Sequence, residues 1–183
     1  GTIESVLFKK EKMRIINKKL IHLWIVCIIL LSSSVFAYDL SSYPSPFIRD
    51  EMFIGVLAVG DSASAEEVIA ISDIASSLQF SPSGQRIDVG ATKLASEISN
   101  IKLVNSILVG NPCTNAVVAE IKGNPSDCIA GYEPGVGLIE AYDNPSGTIS
   151  IVVSGYSVMD MRNAAAVLAN YRDYALKGSK MEV

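Results

Sequence analysis

The sequence predicts an α/β layered fold with a mostly parallel, mixed sheet, and three observations carry that expectation. A short apolar run, a glycine turn and a capped amphipathic helix follow one another three times along the chain. Each helix start has its own polar cap close behind the glycine, which separates strand from helix sharply. Asn144-Pro145-Ser146-Gly147 is a turn signal between two apolar runs, so one antiparallel pair joins the parallel strands.

In the first unit, Phe53 to Val59 is a strand and Gly60-Asp61 a turn. Ser64 and Glu67 then have capping-box spacing, and Val68, Ile71, Ala75 and Leu78 mark a buried helix face. Phe80 to Arg86 is a loop, Ile87 to Val89 a short edge strand, and Ala91 to Ile98 a helix burying Leu94, Ala95 and Ile98. The second unit has a strand at Leu103 to Val109, Gly110, Asn111 as cap, Pro112 at the first helical position and Gly123 as stop. Asn124 to Gly137, rich in proline and glycine, is an irregular connection. Val136 to Tyr142 and Thr148 to Val153 form the antiparallel pair. The third unit continues through Gly155 to a helix capped by Ser157 with Asp160. That helix buries Met161, Ala164, Ala165, Leu168, Tyr171 and Ala175 and stops at Gly178.

The chain before Tyr38 has another character. Lys9, Lys10, Lys12, Arg14, Lys18 and Lys19 precede an apolar run from Leu20 to Leu31, and Val35-Phe36-Ala37 resembles a signal-peptidase site. Residues 1–37 therefore read as upstream residues and a secretory signal peptide, with the start at Met13 and cleavage after Ala37. The competing reading is an uncleaved anchor, against which the run falls short of the ~20 residues that cross a bilayer core. Residues 38–183 make a single domain. They carry 9 basic and 17 acidic side chains, a net charge of −8, which argues against nucleic acid and against an anionic lipid surface as partners. No second apolar run in them is long enough to span a membrane, so the expected location is extracellular or at the cell surface.

With Cys27 in the leader, Cys113 and Cys128 remain. An even pair in an exported domain suggests a disulfide, worth ~3 kcal/mol in the chain-entropy model; two buried free thiols or half of a metal site are the alternatives. His22, the only histidine, also lies in the leader, so residues 38–183 offer neither a Ser-His-Asp triad nor a histidine metal ligand. Gly135-Val136-Gly137 lacks the third glycine and the helix of a dinucleotide site. The sequence thus predicts no enzyme, no catalytic residue, no cofactor and no metal.

Parallel sheets bind ligands beyond the carboxyl ends of their strands, which makes Asp61, Ser62, Asn111, Tyr156 and Ser157 candidate ligand-turn positions; turn and cap formation explains the same residues. Asp61, Glu66 and Glu67 suit either calcium or a helix amino end, and Tyr156, Tyr171 and Tyr174 either a sugar platform or packing. The arm from Tyr38 to Asp50 holds Tyr38, Leu40, Tyr43 and Phe47 among prolines and serines. It either covers its own sheet edge or reaches a partner.

Three segments, Tyr43 to Phe80, Ser106 to Asn144 and Ser154 to Val183, go further. With their Val109-Gly110-Asn111-Pro112-Cys113, Gly131-Tyr132-Glu133-Pro134-Gly135 and Ser154-Gly155-Tyr156-Ser157, they resemble the terminal portions of archaeal S-layer proteins. The first is similar to the region after the family's signal peptide, the others to its C-terminal region. The resemblance places family-like cysteines at Cys113 and Cys128, which implies the disulfide independently. Full S-layer proteins carry a long insertion where Phe80 to Ile107 joins the two portions here, so the likeness is to the base domain with the lattice-building middle absent. It implies a secreted, non-catalytic envelope protein whose partners are other cell-envelope or S-layer proteins, including copies of itself. The alternative is an extracytoplasmic binding module for a small ligand or cell-wall carbohydrate.

Overall fold

The computed structural model describes residues 37–80 and 84–183, so the signal-peptide reading lies outside the described residues up to Phe36. In chain order the elements are β1 (Ile48–Arg49), β2 (Met52–Phe53), β3 (Gly55–Val59), α1 (Ala65–Ser77), β4 (Lys93–Leu94), β5 (Asn105–Val109), α2 (Ala116–Ile121), β6 (Gly137–Asp143), β7 (Ile149–Gly155), α3 (Val158–Ala169) and β8 (Lys180–Glu182). Short 3-10 turns lie at Leu40–Ser42, Ser45–Phe47, Ala95–Glu97 and Ile101–Leu103. The fold is mixed α/β. Its main sheet has the order β4-β3-β5-β7-β6-β8, in which β4, β3, β5 and β7 run parallel and β6 is antiparallel to both β7 and β8.

Strand alternation sorts the core into two faces. Leu57, Val59, Ile107, Val109, Ile151 and Val153 point to one face, where Ala70, Ile71 and Ile74 of α1 and Met161, Ala164 and Leu168 of α3 cover them. Ala58, Leu108 and Val152 point to the other, under Val117 and Val118 of α2 with Ala95 and Ile101 from the 3-10 turns. The middle strands are buried on both sides, which is why they read as unbroken apolar runs. Ser106, Ser150 and Asn144 interrupt the second face but satisfy one another: Ser106 Oγ lies 2.8 Å from Ser150 Oγ, to which Asn144 Nδ2 donates at 3.0 Å.

The arm is part of this core. Leu40 and Phe47 are fully buried and Tyr43 nearly so. Phe47 stacks on Phe53 at 6.4 Å, and the Asn105 amide donates to Pro46 O at 2.7 Å. Leu40, Tyr43 and Phe47 thus follow the first of the arm's two alternatives, covering their own domain, while Tyr38 is half-buried. A two-residue turn at Asp50 and Glu51, with φ of 49° and 62°, closes the β1–β2 hairpin and delivers the chain into β3.

Several boundaries differ from the expectation. Ala91 to Ile98 is not a helix: Lys93–Leu94 pairs with Ala58–Val59 at the sheet edge, and Ala95–Glu97 is a 3-10 turn. Eight residues nucleate a helix poorly, and the open edge of β3 takes the backbone instead. Leu94 is 44 % exposed and only Ala95 of the predicted face is buried. Ile87 to Val89 forms no strand, although Ile87 and Val89 do reach the core. The α2 cap is Asn115, whose Oδ1 accepts from Val117 N and Val118 N, so Asn111 and Pro112 lie in the preceding turn. Helix α3 ends at Ala169 rather than Gly178, leaving Ala175 exposed. The tail then pairs along β6 as β8, a strand the residue pattern did not reveal. On α1, Val68 is 47 % exposed, and Ala70 and Ile74 are buried in its stead.

Candidate functional site

Helix α1 leaves β3 on one face and α2 leaves β5 on the other, so the carboxyl ends of β3 and β5 flank the crevice where open α/β sheets hold ligands. Here the chain fills it. Gly60 and Gly110 have no side chain because none would fit: a Cβ on Gly60 would strike the Thr114 carbonyl. One on Gly110, at φ +119°, would lie 2.7 Å from Glu67 Oε1 and 2.8 Å from Thr114 Oγ1. Glu67, 3 % exposed, accepts from Ser64 N at 2.7 Å through one oxygen and from Thr114 Oγ1 at 2.6 Å through the other. A capping-box carboxylate thereby also bolts the β5–α2 turn over the strand ends.

The candidate ligand-turn residues all lie along this carboxyl edge, but most are engaged. Asp61 accepts from both the backbone and the hydroxyl of Ser96, fastening the 3-10 turn beside β4. Asn111 Oδ1 accepts from Cys113 N at 2.8 Å and Thr114 N at 3.2 Å, an Asx turn. Ser157 caps α3 reciprocally with Asp160, and its hydroxyl and backbone hydrogen bonds hold the Asp160 carboxyl below the usual aspartate range. Ser62 and Tyr156 are exposed. Of the calcium set, Asp61 faces Ser96 and Glu67 faces Ser64 and Thr114, while Glu66 is exposed. The three tyrosines of the sugar reading do not meet. Tyr156 precedes α3 and Tyr171 and Tyr174 follow it, about 18 Å of helix apart, with Tyr171 packed edge-on against Tyr43 at 5.0 Å.

Cys113 and Cys128 form a disulfide with Cα atoms 5.1 Å apart. It ties the turn before α2 to the irregular connection, where Tyr132 covers a polar group that sequence reasoning missed. Lys122, at the end of α2, is ion-paired to Glu140 of β6, both only 15 % exposed, and its ammonium lies 5.1 Å from the Tyr132 ring and 5.8 Å from that of Tyr142. Burial disfavours the charge on Lys122, yet the bound Glu140 carboxylate outweighs it and the pKa is raised. Burial likewise raises the Tyr142 phenol. The available signal was Glu140 on the same strand face as Leu138 and Tyr142, an inward charge in need of a partner. No known family model matches the chain, and no curated protein matches it.

Proposed function

We propose that this chain is a secreted, non-catalytic cell-envelope protein related to S-layer proteins, acting through protein contacts. In this reading the three strand–turn–helix units form one layered base domain that docks to other envelope or S-layer proteins, including copies of itself. The observation that carries it is the contrast at the carboxyl edge: the crevice is closed by Glu67 and Thr114, while large apolar side chains face outward beside it. Arg162 of α3 meets Asp73 of α1 at 3.5 Å, and one turn earlier on each helix stand Val158 and Ile69, 44 % and 48 % exposed, with Met159 at 62 %. Apolar side chains clustered on a helix pair suit a protein partner better than a soluble substrate.

The test is co-sedimentation of the exported chain with isolated archaeal cell envelopes. The wild type is expected to sediment, and an Ile69→Lys/Met159→Glu variant to stay in the supernatant with an unchanged melting temperature. Wild-type protein that stays soluble and binds glycans on an array would replace this reading with that of a carbohydrate-binding module.

A further inference from the structure

At the opposite end of the sheet, where α1 and α3 finish, lies a groove of about 490 Å³ lined by Tyr43, Pro44, Ile48, Phe80, Ile87 and Tyr171, with Ser42, Ser45 and Arg172 at its polar positions. The volume is that of a small-molecule site, and apolar walls with a few polar groups are what such sites have. Its polar groups are two serine hydroxyls, which donate or accept, and one cation, Arg172. Arg172 gives Nη2 to Phe80 O at 2.7 Å and Nε to Tyr171 Oη at 3.2 Å, which fixes the guanidinium over the Tyr171 ring at 5.3 Å. No carboxylate lies within ion-pairing distance of it among the described residues. Tyr43 is 6 % exposed with its hydroxyl buried, so what it presents to the groove is its ring. A guanidinium that meets no carboxylate and is held on an aromatic ring is poised for an anion.

We infer that this groove binds an apolar monocarboxylate, with the carboxylate on Arg172 and the hydrocarbon body against Ile48, Phe80, Ile87 and Tyr171. A neutral ligand cannot form a charge-assisted bond to the guanidinium, and a polyanion would place further charge against apolar walls in a strongly acidic domain. A carboxylate accepts from the guanidinium in such a bond. An aromatic acid and a fatty acid share this chemistry. The inference is independent of the envelope reading, since the groove and the Ile69–Met159 surface are at opposite ends of α1 and α3.

The experiment is titration calorimetry of the exported chain with 3-phenylpropionate and with octanoate, each compared with its neutral amide. One carboxylate per chain is expected to bind at least tenfold more tightly than the matching amide, and the preferred pair identifies the aromatic or the acyl source. Arg172→Gln should abolish the preference for acid over amide. Ser45→Trp, on an exposed lining position, should block both probes whether or not the other variant folds. Equal affinity for acid and amide, binding that survives Ser45→Trp, or no binding of either acid would overturn the inference.

Discussion

Glu67 on α1 and Thr114 on the β5–α2 turn share a 2.6 Å hydrogen bond across the ends of β3 and β5, with the Gly110 backbone directly beneath. The bond joins the two faces of the sheet, because α1 covers one and α2 the other. Glu67→Ala removes the carboxylate half of the capping box, leaving Ser64 N–H unpaired and Thr114 Oγ1 with only the 3.4 Å contact to Asn111 O, so it should cost about 1–3 kcal/mol by urea denaturation. Gly110→Ala meets both a positive φ and the Glu67 carboxylate, and should cost at least as much. Unchanged midpoints in both would show that the crevice is not held shut by this contact.

Reduction gives a second test. The Cys113–Cys128 bond closes a separation of 15 residues, worth about 3 kcal/mol in the chain-entropy model. The melting temperature should fall by several degrees in a phosphine reductant, and the Cys113→Ser/Cys128→Ser variant should match the reduced wild type and ignore the reductant.

The Lys122–Glu140 pair should behave asymmetrically. Glu140→Leu alone leaves a mostly buried ammonium between two tyrosines and should cost about 3–5 kcal/mol, whereas Lys122→Met with Glu140→Leu should recover most of it. A double-mutant cycle without coupling would contradict this.

Acid stability reports on Asp160. Its pKa is depressed in the folded chain by the Ser157 hydrogen bonds, so its contribution is present above the ordinary aspartate pKa and is lost as pH falls through the depressed one. Wild type should exceed Asp160→Asn in urea midpoint at pH 6, and the difference should shrink progressively below about pH 4.

Deleting Tyr38 to Pro46 removes Leu40 and Tyr43 from the core. The expected result is loss of cooperative unfolding and binding of a hydrophobic dye, since Leu40→Ala alone should cost about 2–5 kcal/mol. A truncated chain with a sharp, near-native transition would show that the arm's burial is dispensable.

The middle of the sheet was legible because Gly55–Val59, Asn105–Val109 and Ile149–Gly155 are buried on both faces and are followed by polar caps, both local signals. The capping boxes of Ser64 with Glu67 and Ser157 with Asp160 could be read for the same reason. What was missed depends on distant partners. Lys93–Leu94 and Lys180–Glu182 are strands only because β3 and β6 present open edges to them. The candidate ligand-turn residues lie along the carboxyl edge, but that Thr114 would reach Glu67, 47 positions away, is a tertiary fact with no local pattern. The groove is hidden further, since its lining comes from the arm, the end of α1, Ile87 and the end of α3.

The pairing of both ends of the domain with β6 has a mechanical consequence. Tyr38 N donates to Asp143 Oδ2 at one end of that strand, and Val183 exchanges backbone hydrogen bonds with Gly137 at the other. Because β8 runs from Lys180 beside Glu140 toward Glu182 beside Leu138, a pull between Tyr38 and Val183 lies along the strand axis. Tension would load the β6–β8 bonds together in shear instead of opening them one after another. A domain loaded between Tyr38 and Val183 would then yield abruptly, as a clasp does, and not by gradual peeling.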